Sequence, residues 1–128
     1  MDRLRRRLRE LEAALSAEVV LVDRAALDPF AYWLAAAELR RELLPSAEVD
    51  RLRDLVTLHC RGYSLILATV LDEEVPLGDH RDRDPLLRRE VDRVTHQELA
   101  TLCLRHQRLT SDPGDQDTAI KAVLGAVA

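Results

Sequence analysis

The side chains of this chain that could ligate a metal are its four histidines and two cysteines, which are His59, Cys60, His80, His96, Cys103 and His106. Cys103 and His106 are three residues apart, about 4.5 Å along a helix axis, so both could contact one ion. His59 or Cys60 from the central helix could complete such a site. The chain has no Cys-x-x-Cys pair of the kind that marks structural zinc sites. We therefore expect no cofactor and keep a metal site of His59, Cys103 and His106 as an alternative.

A polar run interrupts the most apolar part of the sequence. It consists of His59, Arg61, Tyr63 and Ser64, with hydrocarbon side chains before and after it. An unpaired buried charge is costly, so Arg61 must reach solvent, a second subunit or an acidic side chain. The candidate acidic partners of Arg61 are Glu90, Asp92 and Glu98. We interpret the run as a binding cluster, either a polar pocket or a self-association surface; the alternative is an arginine that extends to solvent beside a hydrogen-bonded tyrosine.

Arg53 and His59 stand at the two ends of the segment RDLVTLH. Their spacing resembles the Arg-x(4–6)-His signature of HEPN domains, helical bundles of about this size that often act as RNases or as toxin partners. The resemblance covers these seven residues and implies that Arg53 stabilises a phosphate while His59 acts as acid or base. Six residues turn a helix so that the two side chains stand about 120° apart. They would therefore act together only where the helix is irregular or across a dimer.

Most of these residues belong to a segment that predicts one long central helix, Val49–Leu71. One apolar stripe recurs at steps of three and four residues. A second stripe lies beside it, so apolar surface covers most of the circumference and the helix is expected to be buried. Charges at the start of the segment and Arg61 in its middle exclude a membrane span. The stripes are Val49, Leu52, Val56, His59, Tyr63, Ile66 and Val70, and Leu55, Leu58, Gly62 and Leu65.

The N-terminal part, residues 1–22, predicts an amphipathic helix and a connection. Its leucines have the spacing of a coiled-coil seam. Two heptads are too short to be stable alone, so the seam must dock on the domain or pair with another chain. The run Val19–Val22 is the only β-like segment and is expected to continue the helix or to form an extended connection. The seam residues are Leu4, Leu8, Leu11 and Leu15.

Residues that are typical of helix starts divide the rest of the chain into predicted helices and loops. Asp28-Pro29 and Asp84-Pro85 each combine an N-cap carboxylate with a proline at the first helical position, and Ser46 is expected to cap the central helix. A long polar loop covers residues 72–84, and a short C-terminal helix covers 118–128. The expected helices around the central one are Pro29–Leu44, Pro85–Leu109 and Thr118–Val127. We therefore predict a single all-α domain, 1–128, that forms a four- to five-helix, mainly antiparallel bundle.

The composition limits the classes of function that this chain could have. The chain has 128 residues, 47% of them hydrophobic, and a net charge of −4 with both signs spread along it. We therefore expect no nucleic-acid partner and no membrane. The absence of an apolar leader and the placement of both cysteines in apolar patterns favour a cytoplasmic protein with reduced thiols. Because no catalytic set is complete, the sequence favours a non-enzymatic interaction or regulatory module, expected to be a homodimer. The alternative is a HEPN-like RNase or toxin-type enzyme, or a metal-dependent one, that uses His59.

Overall fold

Five helices and two short strands make up the described part of the chain. The computed structural model describes residues 2–14, 22, 25–72 and 84–127. The elements in chain order are α1 (Asp2–Ala14), α2 (Leu27–Leu39), α3 (Ser46–Cys60), β1 (Ile66–Thr69), α4 (Pro85–Thr101), β2 (His106–Leu109) and α5 (Pro113–Val127). The mostly helical character is confirmed. None of the described helices combines the length and apolarity that a membrane crossing requires.

Helices α2 and α4 pack closely because alanines fill their interface. Ala31 and Ala35 are fully buried and belong to one apolar cluster with Val94 of α4. The small side chains let the two helices approach each other without leaving a void. The start of α2, at Leu27, lies in a cluster with Leu99 near the end of α4. The two helices therefore run antiparallel.

An exposed ionic network joins the other end of this helix pair. Arg93 of α4 donates to Glu38 of α2 at 2.7 Å and also to Glu90 and Gln97. A hydrogen bond between the two carboxyl groups raises the pKa of Glu38, whereas the Arg93 guanidinium lowers the pKa of Glu90. Arg93 and the two carboxyl groups therefore join α4 to α2.

Helix α3 docks on this pair through its inner face. Arg53 donates from Nε and Nη2 to the two carboxylate oxygens of Glu98, at 3.0 and 3.1 Å. Glu98 is only 6% exposed, and the Arg53 guanidinium also lies 5.8 Å from the ring centroid of Phe30. Cys60, at the end of α3, is buried in the cluster that contains Leu99. The inner face is thus fixed by one charged contact and one apolar contact.

The chain after α3 forms a strand where the sequence predicted helix. β1 pairs in parallel with β2, in a register that runs from Ile66 opposite His106 to Thr69 opposite Leu109. Helix α4 makes the crossover between them, as parallel pairing requires. The predicted central helix Val49–Leu71 is therefore wrong beyond Cys60, and the predicted helix Pro85–Leu109 is wrong beyond Thr101. The prediction of an all-α fold omitted this small sheet.

Side chains of α4 hold the end of β1. Asp92 accepts a hydrogen bond from the Leu71 N–H at 2.9 Å, and His96 Nε2 lies 2.9 Å from the Thr69 carbonyl oxygen. The Val70 N–H donates to the Leu109 carbonyl at 2.8 Å and extends the pairing beyond the strand. Backbone groups that a two-stranded sheet leaves without a partner strand are thereby satisfied.

Helix α4 ends in a Schellman motif without glycine. The Cys103 N–H donates to Ala100 O and the Leu104 N–H to Leu99 O, both at 3.2 Å, and Cys103 has a φ of 52°. Leu104 and Leu99 meet in the same buried cluster, the apolar contact typical of this motif. Helix α2 ends in the same way at Arg41, whose φ is 55°. The predicted extension of α2 to Leu44 is therefore wrong.

The caps agree with the sequence in one case out of three. Asp84 caps α4 as predicted, accepting from the Leu86 and Leu87 N–H groups. Asp28 lies inside the first turn of α2, and Ser46 is the first residue of α3, which has no side-chain cap.

Helix α5 begins at Pro113, earlier than the predicted Thr118, because Asp112 accepts from the Asp115 N–H at 3.1 Å.

Part of the N-terminal seam docks on its own chain. Leu8 packs against the buried cluster of Leu109 and Ala119, and Arg7 forms an ion pair with Asp117 of α5 at 2.8 Å. Leu4 and Leu11 lie on α1, but their side chains are outside the description. Leu15, most of Val19–Val22, most of the predicted loop 72–84 and His80 within it lie outside the described residues.

Candidate interaction surface on helix α3

The outer face of α3 carries two exposed leucines. Leu55 and Leu58 lie one turn apart and are 56% and 70% exposed. The sequence assigned them to a second buried stripe, which is wrong, because the helix packs on its neighbours with the opposite side, which includes Arg53, Val56 and Cys60. We call Leu55, Leu58 and the exposed residues around them the outer face.

The residues around the two leucines follow from helix geometry. At 100° per residue, Arg51, Leu55, Leu58 and Gly62 fall within a sector of about 60°, with Gly62 just beyond the helix end. Asp54 and Arg61 share one flank of this sector, about 20° apart, and His59 lies on the other flank. All of these residues are exposed. The outer face is therefore a short apolar patch with an acid and a base on one side.

The predicted polar cluster is the turn that ends α3. His59 Nε2 lies 3.2 Å from the Tyr63 hydroxyl, and the two rings meet edge to face with centroids 5.5 Å apart. Tyr63 is half-buried against the core cluster, whereas Arg61 and Ser64 are exposed. The expected conflict of Arg61 with a buried environment does not arise, since the helix ends at Cys60 and Arg61 reaches solvent. The cluster is a polar border of the outer face.

No family model, curated protein or solved structure matches this chain.

The Arg53 and His59 side chains have different partners. The pKa of Arg53 is raised by its hydrogen bonds to Glu98, so that the guanidinium stays charged and bound to that carboxylate. Asp50 lies 3.4 Å from the same guanidinium. His59 is exposed and contacts Tyr63. Two of the three Arg53 nitrogens are bound to Glu98, so a phosphate would compete with that carboxylate for the guanidinium, and the RNase alternative rests on the sequence spacing alone.

The proposed metal ligands do not share a helix. Because α4 ends at Thr101, Cys103 lies in the turn and His106 begins β2, so the spacing argument for the pair fails. His106 Nδ1 lies 2.8 Å from the Leu104 carbonyl oxygen, and His59 contacts Tyr63. Within the described ranges, no group of three or more His, Cys, Asp or Glu residues could hold a metal ion.

Exposed apolar side chains on other elements are more scattered. Tyr32 and Leu39 lie on the outside of α2, two turns apart, with Ala36 between them. Leu43 is fully exposed because α2 ends before it, although the sequence predicted it as a helix contact. Leu39 and Leu43 are four residues apart, but α2 ends at Leu39, so they do not share one helix face, and the exposed Leu86 and Leu124 lie on α4 and α5. Leu55 and Leu58 differ from these leucines because both lie on one helix, one turn apart.

The outer face offers contact chemistry rather than reaction chemistry. Its two leucines supply hydrocarbon surface, and the residues around them supply a carboxylate, guanidinium groups and an imidazole on an exposed surface. An apolar helical stripe with charged flanks is the arrangement by which helices recognise other helices.

Proposed function

We propose that this chain is a non-enzymatic protein-interaction module that associates with itself through the outer face of α3. The observation that carries the proposal is the exposure of Leu55 and Leu58, one turn apart on a helix whose other face is docked. Single exposed apolar residues are normal on protein surfaces, whereas adjacent ones mark interaction sites. The described part of the chain leaves more than half of each side chain in water.

Burial of the two leucines supplies a driving force for association. Full burial of one leucine contributes about 1.5–3 kcal/mol relative to exposure. Both are already partly covered, so the gain for each is a fraction of that value. A two-fold symmetric dimer uses the same patch on both subunits and therefore buries four leucines. This favours a second copy as the partner, since every contact is made twice.

The test is the oligomeric state across a concentration series, measured by light scattering and sedimentation equilibrium. We expect the wild-type chain to dimerise and the double variant Leu55→Glu/Leu58→Glu to remain monomeric. The matched control is Leu43→Glu, which also adds a charge at an exposed leucine but lies outside α3. It should dimerise like the wild type. Circular dichroism should be the same for all three proteins, because none of these side chains belongs to the buried core.

Two outcomes would overturn the proposal. A wild-type chain that stays monomeric at the highest accessible concentration would exclude self-association. A dimer that survives the double α3 substitution, while Leu43→Glu dissociates it, would place self-association on another surface.

A further inference from the structure

We infer that two copies pair through antiparallel α3 helices, with Asp54 of each subunit beside Arg61 of the partner subunit. The inference rests on the proposed self-association and specifies its geometry. The inference depends on the order of charges and of side-chain sizes along the outer face. All of the residues that supply them are exposed.

The sizes along the centre of the face are self-complementary. From the N-terminal end the centre carries Arg51, then Leu55 and Leu58, then Gly62. An antiparallel two-fold axis between Leu55 and Leu58 places each leucine against the other leucine of the partner subunit. The same axis places Arg51, the largest of the four, opposite Gly62, which has no side chain. Large against small is the arrangement that lets two helices pack closely.

The charges on the flank fit the same axis. Asp54 and Arg61 lie on one flank, about 10.5 Å apart along the helix. Reversal of the second helix brings Arg61 of the partner subunit to within about two residues, or roughly 3 Å along the axis, of Asp54. The length of the arginine side chain covers that offset. The pair occurs twice in a symmetric dimer.

A parallel pairing is disfavoured by the same residues. A parallel two-fold pair places this flank of one helix against the opposite flank of the partner helix, so Asp54 does not meet Arg61 of the partner subunit. The two favourable charge contacts are then lost, which favours the antiparallel arrangement. The remaining acid on the flank, Asp50, lies 3.4 Å from the Arg53 guanidinium of its own chain. The flank therefore specifies orientation through Asp54 and Arg61.

The decisive experiment uses two charge-reversal variants, alone and mixed, in the full chain. Asp54→Arg places two arginines together at each contact, and Arg61→Asp places two aspartates together. We expect each variant alone to dimerise roughly tenfold to a hundredfold more weakly than the wild type. Mixing the two variants should restore dimers as heterodimers, identified by native mass spectrometry, because both contacts then join opposite charges. Lys121→Glu, a charge reversal at an exposed residue of α5, should leave the dimer unchanged.

The outcomes separate this inference from the proposed function. If the wild type dimerises through Leu55 and Leu58 but the two variants dimerise as tightly alone as when mixed, the antiparallel geometry is wrong and self-association stands. If the wild type never dimerises, both fail. Restoration in the double variant Asp54→Arg/Arg61→Asp, which exchanges the two charges within one chain, would support the antiparallel pairing, because positions 54 and 61 of the two subunits meet only in that arrangement.

Discussion

The inner and outer faces of α3 belong to the same fifteen-residue helix but have opposite surroundings. On the inner face, Arg53 is bound to both carboxylate oxygens of Glu98 and Cys60 is 2% exposed. On the outer face, Leu55 and Leu58 have most of their surface in water. The inner contacts are sufficient to place α3 against α2 and α4. The described part of the chain leaves the outer leucines largely exposed, so the two faces should respond differently to substitution.

The largest effect is expected from the ion pair on the inner face. Arg53→Met keeps much of the length of the side chain over Phe30 but leaves the buried Glu98 carboxylate without its partner. Removal of one member of a buried pair costs about 3 kcal/mol, and partial exposure of Arg53 places this site at or slightly below that value. Urea denaturation should show the loss as a lower transition midpoint with an unchanged slope.

The control for this substitution is the paired variant Arg53→Met/Glu98→Gln. It removes both charges, so the double variant should be more stable than Arg53→Met alone. A single variant as stable as the wild type would mean that the inner face docks through apolar contacts alone. The difference between the faces would then lie in hydrocarbon burial and not in charge.

A second, smaller effect compares two residues that lie two positions apart on α3. Cys60→Ser replaces a buried thiol with a hydroxyl in an apolar cluster, where burial also raises the pKa of the thiol. The expected cost is about 1–3 kcal/mol. Leu58→Ser removes an exposed side chain and should change the stability of the monomer by less than about 0.5 kcal/mol.

Both variants are to be measured by thermal denaturation in dilute protein, where dimerisation adds least to stability. Equal destabilisation by Leu58→Ser and Cys60→Ser would show that the outer face contributes to the fold of one chain. That result would remove the reason for interpreting the outer face as a surface that contacts a partner.

What the sequence predicted correctly depends on local chemistry. Asp84 caps α4 as expected because a carboxylate, a proline and the next N–H groups lie within four residues of one another. The segment Ile66–Thr69 was predicted as helix because a short apolar run fits a strand and a buried helix equally well. Its true partner is β2, far along the chain, and no local pattern specifies that pairing. The sequence also could not show which face of α3 is buried, because tertiary contacts decide which of the two apolar stripes is covered.

The ends of the helices were missed for a different reason. The usual sequence mark of a helix end is glycine at the first residue beyond the cap, where φ is positive. Here Arg41 and Cys103 occupy that position with φ values of 55° and 52°. Neither residue type predicts a stop, so the expected helices were extended to Leu44 and Leu109. The predicted metal site was affected as well, because Cys103 and His106 do not lie on one helix and their helical spacing does not apply.

The smallest effect concerns this turn, which positions Leu104 in the cluster that the inner face docks on. Cys103→Gly should stabilise the chain by about 0.5–1 kcal/mol, because glycine adopts positive φ without the steric cost that a side chain bears there. The melting temperature should rise by roughly 2–4 °C, measured with reductant present. Ala100→Gly, at an exposed position inside α4, should have the opposite sign and cost up to about 1 kcal/mol. Dimer affinity should be unchanged in both, because neither residue lies on the outer face. A change in affinity on Cys103→Gly would mean that the two faces of α3 are coupled through the core, and the separation between a face for folding and a face for association would be lost.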